Sequence, residues 1–157
     1  MSVSGPHARN LSEIASGYFG PVLIEARPVS DAELGTLITA LQRELREAGG
    51  GLDIASEDGA QHLVGVVDGR AVACGALQPL DAQTGAIKRM YVRPAFRGRG
   101  IARQMLAALE EMALDAGHVV LRLDAGVYLP AALALLQSAG YGRTPAHGFE
   151  KRILVAA

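Results

Sequence analysis

The sequence predicts an α/β (α+β) fold in a single domain, and three observations point there. β-rich and helix-period runs succeed one another in the order β-α-β-β-β-α-β-α-β-β along the 157 residues. Two neighbouring β-rich runs are separated by Asp68-Gly69, a pair that readily takes positive φ and suits a two-residue hairpin. A strand then leads through a loop rich in glycine and arginine directly into a helix.

The chain is long enough for one core and short for two. Residues 1–20 are polar and lack a sustained period, so they read as a flexible N-terminal arm, with one domain over 21–157. Val22, Leu23 and Ile24 open the first β-run. Ser30-Asp31-Ala32-Glu33 has the form of a capping box. The helix it announces carries Leu34, Leu37, Ile38, Leu41, Leu45 and Ala48 on one stripe and stops at Gly49-Gly50-Gly51. His62 to Val67 and Arg70 to Leu77 form the hairpin, and Ala86 to Val92 adds a third strand to that meander. A helix is expected from about Gly100 to Ala116, with Ile101, Met105, Ala108, Leu109 and Met112 inward and Gly117 as its stop. His118 to Ala125 is β-like, Pro130 fits the first turn of a helix ending at Gly140, and the strands Tyr141 to Thr144 and Phe149 to Val155 follow.

With 50% hydrophobic and 20% charged residues, the composition supports a packed core and argues against disorder. A formal net charge of -1 gives no overall pull toward polyanions. Nucleic-acid binding would have to rest on Arg89, Arg93, Arg97, Arg99 and Arg103, and with only 4% aromatic residues it is not expected. Cys74 is the only cysteine, so no intrachain disulfide forms, and four scattered histidines beside one thiol offer no metal-ligand spacing. A cytoplasmic protein is expected, since no secretory segment or membrane-spanning run stands in the sequence.

The chemistry concentrates in Ile87 to Ala102. Gly98 and Gly100 let the backbone approach a ligand closely, and the first turn of the next helix offers unpaired N–H groups at the positive end of its dipole. That is a cradle for an anion such as a pyrophosphate, with Arg97 and Arg99 able to neutralise charge. The Gly-x-x-x-x-Gly-Lys-Ser/Thr pattern of nucleoside triphosphatases is absent, and the preceding strand belongs to a meander instead of a parallel βαβ unit.

Arg97-x-x-Gly100-x-Ala102 resembles the acetyl-CoA loop of the GNAT superfamily of N-acetyltransferases, Gln/Arg-x-x-Gly-x-Gly/Ala. Ile87 to Val92 looks like that family's fourth strand, and Ala132-x-x-Leu135-Leu136-x-x-x-Gly140-Tyr141 like its late helix and turn. The resemblance spans about Val22 to Val155. It implies a mixed, mostly antiparallel sheet flanked by helices, whose fourth and fifth strands splay apart around the pantetheine arm of acetyl-CoA. Met90, Tyr91, Val92, Arg97, Gly98, Arg99, Gly100, Ile101 and Ala102 are the implied cofactor-binding residues. The implied reaction is direct acetyl transfer to a primary amine of a small molecule or peptide, with no metal.

The pattern departs from relatives at the catalytic groups. The glutamate common at the start of the fourth strand is Ala86 here, and the tyrosine commonly proposed to protonate the thiolate is Leu136. An asparagine often opening the late helix is Leu129. Asp124, near the end of the fifth strand, is the candidate general base, ahead of Glu25, Asp81 and Glu150; a strand-end salt bridge or turn is the competing account of it. Tyr128 and Tyr141 are nearby phenols, Tyr141 in a position that favours packing. Cys74 reads as a small core residue rather than a nucleophile. The empty positions also motivate an alternative, a catalytically weak acyl-CoA-binding or regulatory module. The apolar stretch Ala131 to Ala139 would permit a homodimer without requiring one.

Overall fold

Leucines at 34, 37, 41 and 45 recur at helical spacing, and all four are buried on one face of α1, Ala32–Glu47. The start of that helix corrects the expected capping box. Asp31, not Ser30, is the N-cap: its Oδ2 accepts the Leu34 N–H at 3.0 Å and a hydrogen bond from Arg27 Nη1 at 3.0 Å. The Asp31 N–H donates to the Pro28 carbonyl at 2.9 Å, so a turn delivers the carboxylate, a stronger acceptor than a hydroxyl, to the helix start. Glu33 is thereby released from the box, and its Oε2 accepts the Ala71 N–H at 3.0 Å.

The computed structural model describes residues 21–49, 59–123, 130–145 and 148–154, so the expected arm lies outside the described residues. The strands are β1 (Leu23–Arg27), β2 (Gln61–Val67), β3 (Arg70–Pro79), β4 (Thr84–Val92), β5 (Val120–Leu123), β6 (Gly142–Thr144) and β7 (Gly148–Arg152). With α1, α2 (Ile101–Asp115) and α3 (Pro130–Ser138), they follow the expected order. The ends differ: β5 begins at Val120 and not at His118, and β7 stops at Arg152, because strand ladders end where the partner strand does, a length that side-chain pattern does not report; the expected end of β5 at Ala125 lies outside the described residues. At the β2–β3 turn Asp68 has φ 50° and Gly69 φ 82°, the positive pair that a type I′ hairpin requires.

The strands form one sheet in the order β1-β2-β3-β4-β5-β7-β6. Every pairing is antiparallel except β4 with β5. A parallel pair needs a crossover connection, and α2 supplies it. Helix α1 packs on one face with Val64, Ala71, Cys74 and Tyr91. On the other face Met105, Leu106 and Leu109 of α2 and Leu136 of α3 meet Leu77, Ile87, Leu121 and Phe149 of the sheet. Leu135 and Leu136 of α3, and Ala139 just after it, turn into this core. Close approach is enforced at Gly75, where a Cβ would stand 3.0 Å from Leu109 Cδ1 and 3.2 Å from Met105 Cγ.

Candidate active site

Among the described residues, parallel pairing between β4 and β5 runs from Thr84↔Val120 to Ala86↔Arg122. Beyond Ala86 the two strands part: β4 continues to Val92 against β3, while Leu123 of β5 faces Phe149 of β7. The β3–β4 ladder carries a bulge further along β4. The β3–β4 register jumps between Cys74↔Tyr91 and Ala76↔Lys88, so Arg89 and Met90 together oppose Gly75. Arg89 carries the bulge at φ 55°, a left-handed conformation that a non-glycine residue adopts only where surrounding contacts hold it. Those contacts are present. The Arg89 carbonyl accepts the Cys74 thiol at 3.2 Å, and Arg89 Nη1 lies 2.9 Å from His62 Nε2 on β2.

His62 is buried, and burial together with the Arg89 charge pushes its imidazole below the ordinary histidine value. A neutral ring that accepts from Arg89 at Nε2 carries its proton on Nδ1. Cys74 is fully buried and its thiol is pushed up to about 12 by that burial, so it stays protonated and inert, a core residue as its strand position indicates. Neither His62 nor the bulge at Arg89 stands out in the sequence; a lone histidine in a β-run and a bulge without glycine leave no periodic mark.

After Val92 the chain takes a 3-10 turn, Pro94–Phe96, and then the loop to α2. Gly98 has φ 79° and Gly100, the N-cap of α2, has φ 83°. A Cβ at either would meet nothing within 4 Å, so the space in front of the helix start is open to a ligand. Gly100 caps α2 without a side-chain hydrogen bond, so the N–H groups of the first turn are left to other acceptors. Ile101 anchors the loop, being 5% exposed in the core beneath it. Met90 also points into that layer, its Sδ 3.2 Å from where a Gly75 Cβ would be, whereas Tyr91 faces α1.

The arginines of the segment are not equivalent. Arg97 Nη2 donates to both oxygens of Glu44 on α1, at 2.9 and 3.0 Å, and its Nε donates to the Val92 carbonyl at 2.8 Å. Its guanidinium also stands 5.5 Å from the centroid of Tyr91. Arg99 Nη2 reaches the Ala95 carbonyl at 3.4 Å. Arg103 joins α2 to α3 through Ser138 Oγ at 2.6 Å.

The carboxylates differ as well. Glu25 pairs with Arg27 on the edge strand β1, at 2.8 Å. Asp81 Oδ1 accepts the Gln83 and Thr84 N–H groups, both at 2.8 Å, and those bonds, the first from Gln83, hold its carboxyl below the usual range. Glu150 pairs with Arg122 at 3.0 Å, in the register row Ala86↔Arg122↔Glu150 where β4 and β5 begin to part. Asp124, Tyr128 and Leu129 lie outside the described residues. Leu136 is 2% exposed within the core, and Tyr141 is buried with its hydroxyl donating to Glu110 Oε2 at 2.7 Å. Both serve packing. Among the described residues no group of His, Cys, Asp and Glu is placed to hold a metal ion, and no helix is long and apolar enough to cross a membrane.

Residues 28–141 match the Acetyltransferase (GNAT) family. The chain is 33% identical over 112 residues to an IAA acetyltransferase of Azospirillum brasilense, an alignment covering 71% of each protein. A crystal structure assigned as an acyl-CoA N-acyltransferase, from Klebsiella pneumoniae subsp. pneumoniae, superposes with a TM-score of 0.72 at 29% identity, covering 85% of this chain and 98% of that one. A GNAT family acetyltransferase from Elizabethkingia anophelis with acetyl-CoA bound superposes with a TM-score of 0.64 over 78% of this chain and 77% of that one; at 20% identity the likeness is one of fold. Split sheet, glycine loop and matches together define an acetyltransferase. The chain belongs to the GNAT acetyltransferase family.

Proposed function

We propose that this protein transfers the acetyl group of acetyl-CoA directly to a primary amine of a small molecule or peptide. The observation that carries the reading is the open, positive-φ glycine loop at the start of α2, beside the gap between β4 and β5. Backbone N–H groups from Gly98 to Ala102 are suited to hold the pyrophosphate, and main-chain groups from Met90 to Val92 to bind the pantetheine arm along the free edge of the gap. Acetyl-CoA brings the activated acyl group as a thioester.

Positioning is then most of the catalysis. The amine nitrogen bonds to the thioester carbonyl carbon, a main-chain N–H of β4 supports the developing oxyanion, and the carbon–sulfur bond breaks with the electron pair leaving on sulfur. A thiol pKa of about 8.5 makes that leaving group tolerable near neutral pH, which suits a site whose usual phenol position is the buried Leu136. An amine with a pKa of about 10.4 is mostly protonated at neutral pH and needs a proton acceptor. Asp124 is the proposed acceptor, directly or through water; it directly follows Leu123, the last described residue of β5, on the side where the strands part.

Release of free coenzyme A from acetyl-CoA, followed across a panel of amino acids, polyamines, aryl-alkyl amines and peptide N-termini, tests this. Amine-dependent release with a matching acetylated product is expected. Binding of acetyl-CoA without turnover on any amine would leave only the cofactor half of the proposal standing.

A further inference from the structure

Arg97 is the first residue of the loop motif and the obvious candidate to neutralise a pyrophosphate, yet its Nη2 and Nε are already bonded to protein groups. Its planar fork spends Nη2 on both oxygens of Glu44 and Nε on the carbonyl that ends β4. The guanidinium also lies over Tyr91, which is 8% exposed between α1 and the sheet. Three separate elements are thus tied by one side chain: the last residue of β4, the loop, and the last turn of α1. Glu44 is itself held in place, since it precedes the buried Leu45 on a helix whose register is fixed by Leu37 and Leu41.

We propose that Glu44 and Arg97 form a positioning pair for the cofactor loop, with Arg97 holding the shape of the cradle for acetyl-CoA instead of ligating its phosphates. The inference rests on the reading that the loop binds acetyl-CoA. The phosphates are then met by the backbone N–H groups at the start of α2, which need a rigid loop in front of them because Gly98 and Gly100 on their own leave it free to move. Glu44 supplies that rigidity from α1, far away in sequence. Arginine is the residue for such a tie, because only a planar fork can serve a carboxylate with one nitrogen and a carbonyl with another in fixed geometry.

The two roles of Arg97 give opposite signs when Glu44 is altered. If Arg97 positions the loop, Glu44→Gln breaks the tie and weakens coenzyme A binding by about three- to tenfold, the range of a well-formed, partly exposed pair. If Arg97 is a phosphate ligand, removing Glu44 frees it and binding is unchanged or tighter. Calorimetric titration of the full-length protein with coenzyme A, beside thermal melts, makes the distinction. The expected results are a raised Kd for Glu44→Gln with an unaltered melting temperature, no further loss when Glu44→Gln is added to Arg97→Ala, and Arg97→Lys as weak as Arg97→Ala. Tighter or unchanged binding in Glu44→Gln, or full retention by Arg97→Lys through charge alone, would overturn the proposal. Failure of the unaltered protein to bind coenzyme A at all would instead remove the acetyl-CoA reading, and this inference with it.

Discussion

Gly100 shows how one residue can serve both fold and ligand. Its φ of 83° begins α2 from the left-handed region, and the space a side chain would fill is empty. A β-branched residue there meets two penalties, since it resists positive φ and it fills the volume in front of the helix N-terminus. Gly100→Val is expected to weaken acetyl-CoA binding by more than about tenfold, which corresponds to about 1.4 kcal/mol, while the circular dichroism spectrum stays native. A folded variant with the original Kd would move the cofactor away from this loop. The contrast with Arg97 is instructive. Glycine at 98 and 100 was legible because backbone freedom is a property of the residue itself, whereas the guanidinium of Arg97 finds its carboxylate 53 positions away and no local pattern announces that partner.

Among the elements, α1 and β4 differ in how openly the sequence describes them. The four inward leucines of α1 fix its extent and its buried face, but two cap-competent residues stand side by side, and Asp31 prevails over Ser30 because Pro28 and Arg27 present its carboxylate. Strand β4 looks regular in sequence and is not: it carries a bulge at Arg89 that is held by His62 and Cys74. His62 gives that support a pH dependence. Its folded-state value is depressed below 6.5, so the unfolded chain binds the proton more readily. The contribution is complete above about pH 6.5 and is lost as pH falls through the lower folded value. Urea midpoints between pH 7.5 and 5 are expected to fall toward acid in the native sequence, and to fall less in His62→Gln, whose side-chain oxygen can still accept from Arg89. Parallel curves for the two proteins would exclude His62 as the titrating group. The carboxyls of Asp31 and Glu33, held low first by the Leu34 and Ala71 N–H groups respectively, act only in a more acidic window.

For the whole molecule, the consequential feature is that one sheet is paired continuously on both sides of a gap it does not close. Antiparallel ladders tie β4 to β3 and β5 to β7, whereas the β4–β5 pairing of the described residues stops at Ala86. The order of elements was readable from periodicity, and the gap was anticipated only through likeness to a family, because no single-strand pattern encodes the absence of a partner. The same organisation decides where a base can act. Ala86 leaves the β4 side of the gap without a carboxylate at that row, Glu150 is engaged by Arg122 across β5 and β7, and Asp81 is spent on its turn. Asp124, the next residue in sequence after Leu123, is the acceptor proposed above. If it receives the amine proton, Asp124→Asn is expected to lower turnover by about a hundredfold while acetyl-CoA affinity barely changes, because the amide keeps the size of the carboxylate and loses its basicity. The lost rate should recover as pH rises, since the free amine becomes abundant toward its own pKa and needs no acceptor in the protein. Steady-state rates from pH 6 to 10 for both proteins separate the alternatives. Equal turnover and superimposable profiles would take Asp124 out of the reaction and leave catalysis to the geometry of the gap and the backbone dipoles along β4.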